Sequence, residues 1–280
     1  MTSLLSAEQI DQFHRDGCLI LRGFYQLETE ITPIQRDIHA IIGILIQKYE
    51  LPIEQAPFTP ETFDSGYQQL IAHDRKLGGE VYDAVKQITA FVRLVANERH
   101  DRVLKQLRNS DLPGVAAGGY GIRIDNPLEE KYRANWHQDY PAQFRSIDGL
   151  VFWSSLVELT EDLGPMQIAL GSHKAGLAPV LTRDPDNSDK SGAYALRLKD
   201  ESERIAPYKK ILGLVALGDL VILDFLTLHA SGFNRGNRSR WSMQIRYFNF
   251  RNPVGQRIGW AGSFAAGKNI GDVHPELIAD

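Results

Sequence analysis

Three residues of this sequence have side chains that bind transition metals, and they stand in two short motifs. His137 and Asp139 are two apart in Trp136-His137-Gln138-Asp139, and His229 lies far downstream in Leu228-His229-Ala230-Ser231. On a β-strand, side chains two apart project to the same side, so His137 and Asp139 can grip one ion. Two histidines and one carboxylate leave neighbouring metal positions open, a pattern suited to non-haem Fe(II) oxygenases. We therefore predict a metal site formed by His137, Asp139 and His229.

Each motif alone also fits an ordinary hydrogen-bonded pair, so the surrounding sequence decides between the two interpretations. His229 follows the turn signal Gly218-Asp219 and the apolar run at 220–224, which is rich in β-branched and aliphatic residues. Such a run predicts a buried strand that ends next to the histidine. This context favours the metal site.

Composition and charge restrict the class of protein. The chain has 280 residues, 43% of them hydrophobic and 24% charged, with a net charge of -4. The slightly acidic balance gives no electrostatic footprint for nucleic acid or for an anionic membrane. No segment has the length of a membrane span or the pattern of a secretion signal, and the single cysteine, Cys18, excludes an internal disulfide and a thiolate metal site. We expect a cytoplasmic globular protein that acts on a small molecule.

Helical patterns dominate roughly the first 110 residues. Ser6 and Gln9 form a capping-box pattern that predicts a helix to about Arg15, and Cys18-Leu19-Ile20-Leu21 predicts a strand. Apolar residues at helical spacing predict further helices at about 32–50, 81–95 and 104–107.

The composition changes near Asp111-Leu112-Pro113-Gly114 toward glycine, β-branched and aromatic residues. Candidate strands lie at 119–124, 133–137, 149–156, 165–169, 214–216, 220–224 and 239–248. Short sequential strands without intervening helices predict an antiparallel barrel or double-sheet jelly roll. The polar stretch 181–207 is interpreted as a long loop over one barrel mouth, either a mobile lid or a disordered insertion. We expect one domain with a helical part at about 1–110, a β-core at about 111–250 and a C-terminal extension at 251–280.

Taken together, the motifs resemble the phytanoyl-CoA dioxygenase family of Fe(II)- and 2-oxoglutarate-dependent oxygenases. The resemblance covers most of the chain. Its segments are residues 10–23 with Asp16-Gly17 and Leu21-Arg22-Gly23, His137-Gln138-Asp139, Gly164-Pro165-Met166-Gln167, Gly171-Ser172-His173-Lys174, Gly218-Asp219, His229-Ala230-Ser231 and Arg240. The resemblance implies a double-stranded β-helix, mainly β, with helices packed outside it.

The family also implies a role for each matching residue. His137, Asp139 and His229 would be the iron ligands, Arg240 would bind the distal carboxylate of 2-oxoglutarate, and Ser231 would assist Arg240. An arginine fork is suited to a carboxylate because it is planar and permanently charged. Strand alternation turns Arg240 inward together with Ser242 and Gln244, and Arg246 shares that parity as the alternative.

Further residues are assigned by the resemblance or by their position near the motifs. Trp153 resembles an aromatic residue that lines the cosubstrate pocket, although core packing is an equal alternative. Tyr120 and Ile122 lie where the family places another cosubstrate-contacting strand. His173 is interpreted as structural or as lining the mouth of the site, and Gln138 has no assigned role because alternation turns it away from the metal. A last group follows the metal motif, could line the mouth of the site and favours a polar or anionic substrate: Tyr140, Gln143 and Arg145.

The resulting functional hypothesis is hydroxylation of a small-molecule metabolite by Fe(II), 2-oxoglutarate and O2, with desaturation and ring closure as open alternatives. A cupin-like metal-dependent isomerase or small-ligand binding protein would use the same barrel without O2 chemistry. Arg240 and Ser231 separate the two hypotheses, because such a protein has no reason to carry them.

Overall fold

A computed structural model describes residues 3–187, 190, 195–263 and 267–279. Helices alternate with turns through the first hundred residues, with shorter helices further on. They are α1 (Ala7–Asp16), α2 (Thr32–Lys48), α3 (Tyr67–His73), α4 (Arg75–Val85), α5 (Thr89–Val95), α6 (Glu98–Arg108), α7 (Tyr140–Gln143), α8 (Glu201–Ile205), α9 (Pro253–Arg257) and α10 (Ile270–Val273). A π-helical turn, Leu27–Ile31, leads into α2.

The strands form two antiparallel sheets and a small ladder. They are β1 (Cys18–Leu21), β2 (Pro113–Val115), β3 (Gly121–Asp125), β4 (Gly149–Ser155), β5 (Gln167–Ala169), β6 (Val180–Leu181), β7 (Arg197–Leu198), β8 (Lys210–Leu212), β9 (Leu220–Asp224), β10 (His229–Ala230) and β11 (Arg240–Asn249). The large sheet has the order β1-β9-β4-β11-β2, with β3 also paired to β11, and the smaller sheet has the order β10-β5-β8. This is the double-sheet arrangement predicted from the strand pattern.

The helix–turn–strand unit at the N-terminus follows its sequence signals closely. The Ser6 hydroxyl accepts a hydrogen bond from the Gln9 backbone, and the Gln9 side chain accepts one from the Ser6 backbone. Gly17 ends α1 with φ +67°, and a Cβ at Gly17 would lie 2.4 Å from His173 Nδ1. Only glycine fits this turn, because it combines a left-handed conformation with a close approach to a neighbouring segment.

Two motifs distant in sequence meet at the other end of β1. The Asp219 carboxylate accepts hydrogen bonds from Arg22 Nη1 at 2.6 Å and from the Gly23 backbone at 2.8 Å. It also accepts one from the Ala216 backbone at 3.0 Å. The contact fixes the start of β9 against the end of β1, and β9 leads directly to His229.

The central strands are covered on both faces, which explains their uninterrupted apolar sequences. All residues of β4 and β9 are buried. One continuous cluster of buried apolar side chains joins the N-terminal helices to the large sheet, and His100 of α6 stacks on Phe152 of β4 with ring centroids 4.7 Å apart. The large sheet therefore provides a rigid wall for the residues on its other face.

Two predicted strands are wrong. Residues 133–137 form no regular strand, and His137 makes an isolated bridge to His229. Residues 214–216 are also irregular, and the strand of that region is β8, just upstream. Several short elements carried too little pattern to be predicted: β2, β6, β7, β10 and α3.

The stretch 181–207 is more structured than its polar sequence predicted, within the part that is described. β6 and β7 pair here, and α8 follows. Asp184 is buried and forms salt bridges with Lys190 Nζ at 3.2 Å and Arg197 Nη1 at 2.9 Å. The acidic sequence looked like a solvated loop because its ion-pair partners lie several residues away. Residues 188, 189 and 191–194 lie outside the described residues.

The C-terminal segment packs against the short helix that follows the metal motif. His274 Nε2 lies 3.2 Å from the hydroxyl of Tyr140, the first residue of α7, and Gly262 bridges to Phe144. Ile278 bridges to Val180. The extension thus covers α7 from outside. Among the described residues, no helix is long and apolar enough to cross a membrane.

Candidate metal and cosubstrate site

The three residues predicted to bind metal meet at one point of the structure. One potential ligand atom from each of His137, Asp139 and His229 lies within 4.8 Å of the other two. His137 Nε2 is 3.7 Å from Asp139 Oδ1, and the two imidazole ring centroids are 4.2 Å apart. Asp139 and His229 are buried, while His137 is partly exposed. The cluster therefore has one accessible side.

Backbone pairing, and not strand alternation, brings the three residues together. The His137 N–H donates to the His229 carbonyl at 3.0 Å, and the His229 N–H donates to the His137 carbonyl at 3.1 Å. The Asp139 N–H donates to the Phe225 carbonyl at 2.9 Å, and Asp139 itself has helical backbone angles as the residue preceding α7. The same-side placement of His137 and Asp139 is correct, but the regular strand on which we based it is absent.

Both histidines are held in the same tautomer. His137 Nδ1 lies 2.7 Å from the Asn135 carbonyl, and His229 Nδ1 lies 2.9 Å from the Thr227 carbonyl. Because a carbonyl can only accept, each Nδ1 carries the proton. Each Nε2 then has a free lone pair for a cation, and the carbonyl fixes the orientation of its ring.

The charge states of the three residues are those that a cation requires. Burial lowers the pKa of His137 to about 3, helped by the neighbouring His229, and burial also lowers the pKa of His229. Burial alone would raise the pKa of Asp139, but Arg246 and the two histidines outweigh it and lower that pKa to about 2. At neutral pH the cluster thus presents two neutral imidazoles and one carboxylate. This donor set fits Fe(II) and leaves further coordination positions for other ligands.

A small cavity of about 50 Å³ lies between the histidines and Arg240. Arg240 is 2% exposed, and its Nη2 donates to Asp125 Oδ2 at 2.8 Å. Its Nε and Nη1 are buried without a hydrogen-bond partner among residues 3–187, 190, 195–263 and 267–279. Buried guanidinium donors without an acceptor are costly. A carboxylate in the cavity would satisfy them, so the residues present fit the distal end of 2-oxoglutarate.

Two other predicted cosubstrate residues line the same cavity. Ser231 lies two residues beyond His229, and Trp153 of β4 is 4% exposed. The Ser242 hydroxyl, two residues along β11 from Arg240, is a further buried polar group without a hydrogen-bond partner in the described structure. The alternation predicted for β11 holds, because Arg240, Gln244 and Arg246 all face this cavity.

Arg246, the alternative to Arg240, has a different contact. Its Nε donates to Asp139 Oδ2 at 3.1 Å, and its Nη2 lies 3.4 Å from Asp139 Oδ1. Arg246 therefore orients the Asp139 carboxylate, and of the two arginines it is Arg240 that has donors without an acceptor in the described structure.

Arg123 lines the small cavity, although the prediction for this strand named Tyr120 and Ile122. Ile122 is fully buried and does not line the small cavity, whereas Arg123 does, and Tyr120 lines a larger cavity outside it. Side chains alternate along β3, so Arg123 and Asp125 share one face and Ile122 and Ile124 the other. The alternation of charged and apolar residues in this stretch was the signal that could have identified Arg123.

A cavity of about 260 Å³ lies on the accessible side of the His137, Asp139 and His229 cluster. His137 and Asp139 line it, and Arg133, Asn135 and Gln143 contribute polar groups. Its place beside the cluster makes it the candidate substrate site.

Two of the three residues predicted to line the mouth of the site do not line it. Tyr140 is fully buried against His274, and Arg145 is buried with its guanidinium donating to the carbonyls of Gln143 and Ala117. The sequence could not separate these structural side chains from mouth residues because all three follow the metal motif closely. Gln143 remains as a lining residue.

Gln138 and His173 have structural contacts. Gln138 Nε2 donates to the carbonyls of Gly176 and Leu226, each at 2.8 Å, and its Oε1 accepts from the Ala178 N–H at 2.9 Å. Gln138 thus ties the metal motif to two neighbouring segments. His173 Nε2 lies 3.2 Å from the His14 carbonyl, away from the cluster, as expected for a structural residue.

The two-sheet fold, with a His-x-Asp and histidine cluster beside a buried arginine, has the layout of the non-haem iron and 2-oxoglutarate oxygenases. The family model described as phytanoyl-CoA dioxygenase matches residues 13–242. This chain therefore belongs to the phytanoyl-CoA dioxygenase family, whose members depend on Fe(II) and 2-oxoglutarate and use O2. The resemblance drawn from the motifs is confirmed.

Solved structures support the fold. EctD from S. alaskensis, crystallised with 2-oxoglutarate and 5-hydroxyectoine, is 17% identical and covers 89% of this chain and 78% of its own, with a TM-score of 0.57. The carbocyclase SnoK from nogalamycin biosynthesis is 17% identical, with coverages of 89% and 86% and a TM-score of 0.55. EvdO2 from Micromonospora carbonacea var. aurantiaca is 18% identical, with coverages of 89% and 93% and a TM-score of 0.51.

These likenesses confirm a double-stranded β-helix core with packed helices. A comparison with curated proteins found no match.

Proposed function

We propose that this protein hydroxylates a small-molecule metabolite at an unactivated C–H bond, with Fe(II) as cofactor and 2-oxoglutarate as cosubstrate. One observation carries the proposal: the His137, Asp139 and His229 cluster shares a cavity with Arg240, which has two buried nitrogens without an acceptor in the described structure. His137, Asp139 and His229 would hold the iron, and Arg240 with Ser231 would hold the distal carboxylate of 2-oxoglutarate. Trp153 would form one wall of the cosubstrate site.

When bound, iron and 2-oxoglutarate would supply the oxidising chemistry: 2-oxoglutarate becomes succinate and CO2, one oxygen atom of O2 enters succinate, and the other enters the substrate as a hydroxyl. The protein's own residues prepare this chemistry. The carbonyls of Asn135 and Thr227 keep both Nε2 atoms free of protons, and Arg246 holds the Asp139 carboxylate ionised and oriented. Burial of Arg240 strengthens its attraction for an anion because little water competes.

The larger cavity would hold the substrate beside the accessible side of the cluster. Arg133, Asn135 and Gln143 line it together with His137. These groups favour a substrate with a polar or anionic group near the reacting carbon, because a polar lining loses hydrogen bonds to water unless the ligand replaces them.

The proposal is tested by an anaerobic titration of the protein with Fe(II) and 2-oxoglutarate, followed by admission of O2. Chelation should produce a visible charge-transfer band, and O2 should then yield succinate. Metabolites that shift the melting temperature of the loaded protein are the first substrates to test. A hydroxylated product would carry one oxygen from labelled O2, whereas desaturation, epimerisation or ring closure would not add that mass.

Absence of the band from fully iron-loaded protein would contradict the proposal. It would favour the isomerase or binding-protein hypothesis, which requires the metal but not 2-oxoglutarate.

A further inference from the structure

A second cavity of about 250 Å³ lies between α4 and β3, outside the metal and cosubstrate sites. The rings of Tyr67, Tyr82 and Tyr132 line it together with Ile124. The Arg75 guanidinium lies 5.5 Å from the Tyr132 ring centroid and forms a salt bridge with Glu129 at 2.7 Å. Because Glu129 already pairs with the charge of Arg75, Arg75 lines this cavity mainly with the flat face of its guanidinium.

The second cavity adjoins the substrate cavity. Tyr82 and Arg123 line both. Tyr82 stands on α4 and lines the substrate cavity together with His137 and Asp139. A molecule bound beside the three-residue cluster therefore lies next to the second cavity.

Two adjacent glycines in the middle of α4 form part of the wall. Glycine destabilises a helix interior, so the presence of each of these glycines needs its own explanation. A Cβ at Gly78 would lie 2.6 Å from Arg75 Nη1 and 2.9 Å from an Ile71 methyl, so packing explains Gly78. A Cβ at Gly79 would meet nothing within 4 Å. Packing does not explain Gly79, which lines the open volume of the second cavity.

We infer that the second cavity is a specificity pocket for a flat, ring-bearing apolar part of the substrate. The inference rests on the proposed function, because it places the reacting end of the same substrate beside His137. Aromatic walls favour ring ligands through offset and edge-to-face contacts beyond the area that is buried. A side chain at position 79 would occupy space that the ring needs. The substrate class is then a molecule with a polar reacting end and a ring-bearing apolar end.

The test measures binding of 2-naphthol and of 1-octanol, as ring and chain probes, to the full protein loaded with Fe(II) and 2-oxoglutarate without O2. Gly79→Trp should fill the pocket and weaken 2-naphthol binding by about tenfold or more. Tyr132→Ala should weaken it in the same direction by removing one wall. Tyr132 is 43% exposed, so this variant keeps the test valid if Gly79→Trp fails to fold. Asp11→Trp is the control, because it adds the same side chain at an exposed position of another helix, α1.

The expected result is that the wild type and Asp11→Trp bind 2-naphthol more tightly than 1-octanol, and that Gly79→Trp and Tyr132→Ala lose this binding. Wild-type binding that is absent, that favours 1-octanol, or that persists unchanged in both Gly79→Trp and Tyr132→Ala would overturn the inference. The 2-oxoglutarate charge-transfer band is recorded in the same wild-type samples. If the band is missing while the pattern of 2-naphthol binding holds, the proposed oxygenase function fails and the ring pocket stands.

Discussion

Arg246 and Asp139 form a salt bridge beside the two histidines of the candidate metal site, with Arg246 Nε 3.1 Å from Asp139 Oδ2. Arg246 also donates to the Gly119 carbonyl and the Gln244 side chain, each at 3.2 Å. These contacts fix the guanidinium, and the guanidinium fixes the carboxylate. The Asp139 side chain is therefore oriented by the protein itself.

Replacing Arg246 should weaken metal binding without removing a ligand. Arg246→Gln leaves Asp139 without its oriented partner, and the loss of such a supporting contact typically lowers metal affinity by about 10–100-fold. Anaerobic Fe(II) titration measures the change. Arg251→Gln is the control, because Arg251 forms an exposed ion pair with Asp111 away from the cluster. Iron affinity equal to that of the wild type in Arg246→Gln would show that the salt bridge does not position Asp139.

Removing the carboxylate itself should affect both chemistry and stability. Asp139→Ala should lose iron binding and 2-oxoglutarate turnover. It should also lower the free energy of unfolding, by less than the ~3–5 kcal/mol typical of fully buried pairs, because it leaves the partly buried Arg246 charge without its partner. Urea unfolding and succinate release measure the two effects, and Asp139→Ala, Arg246→Met should recover part of the stability but none of the turnover. Succinate release at the wild-type rate from Asp139→Ala would remove Asp139 from the ligand set.

His100 should make the protein less stable as the pH falls below about 6.5. Burial lowers the pKa of His100 to about 4, so between these values the unfolded chain binds a proton that the folded chain does not. The unfolded state is then favoured, and the cost by pH 5 is about 2 kcal/mol.

Denaturant unfolding of the metal-free wild type and His100→Gln at pH 7.5 and pH 5 checks this. Other groups affect both proteins alike, so the stability difference between the two should change by about 2 kcal/mol in favour of the variant at pH 5. The same difference at both pH values would mean that His100 keeps an ordinary pKa in the folded protein.

The residues of the candidate site could be predicted from the sequence more completely than the backbone structure around them. His137, Asp139, His229 and Arg240 follow from residue chemistry and motif resemblance, and they meet in space. The strand at 133–137 could not be predicted correctly, because its backbone pairs at isolated points, His137 with His229 and Ala134 with Ser231, and these partners are far away in the sequence. Single long-range bridges leave no periodic pattern in the sequence.

It was equally hard to predict which side chains of a short strand face the site. β3 has five residues, and the family comparison pointed to Ile122 although Arg123 faces the site. Long elements with strong patterns, such as α2 and β11, were predicted to within two residues at each end. Their burial periodicity extends over enough turns or residues to define which face is inside.

We propose that Arg240 binds the distal carboxylate of 2-oxoglutarate beside an iron held by His137, Asp139 and His229. Anaerobic titration of Fe(II)-loaded Arg240→Ala with 2-oxoglutarate, followed by the charge-transfer band, tests it most directly. The variant should bind 2-oxoglutarate more weakly by about 2–5 kcal/mol with little change in iron affinity, because a buried charge pair is lost. Arg240→Lys should be intermediate, since a point charge replaces a fork. An affinity for 2-oxoglutarate equal to that of the wild type in Arg240→Ala would contradict the account.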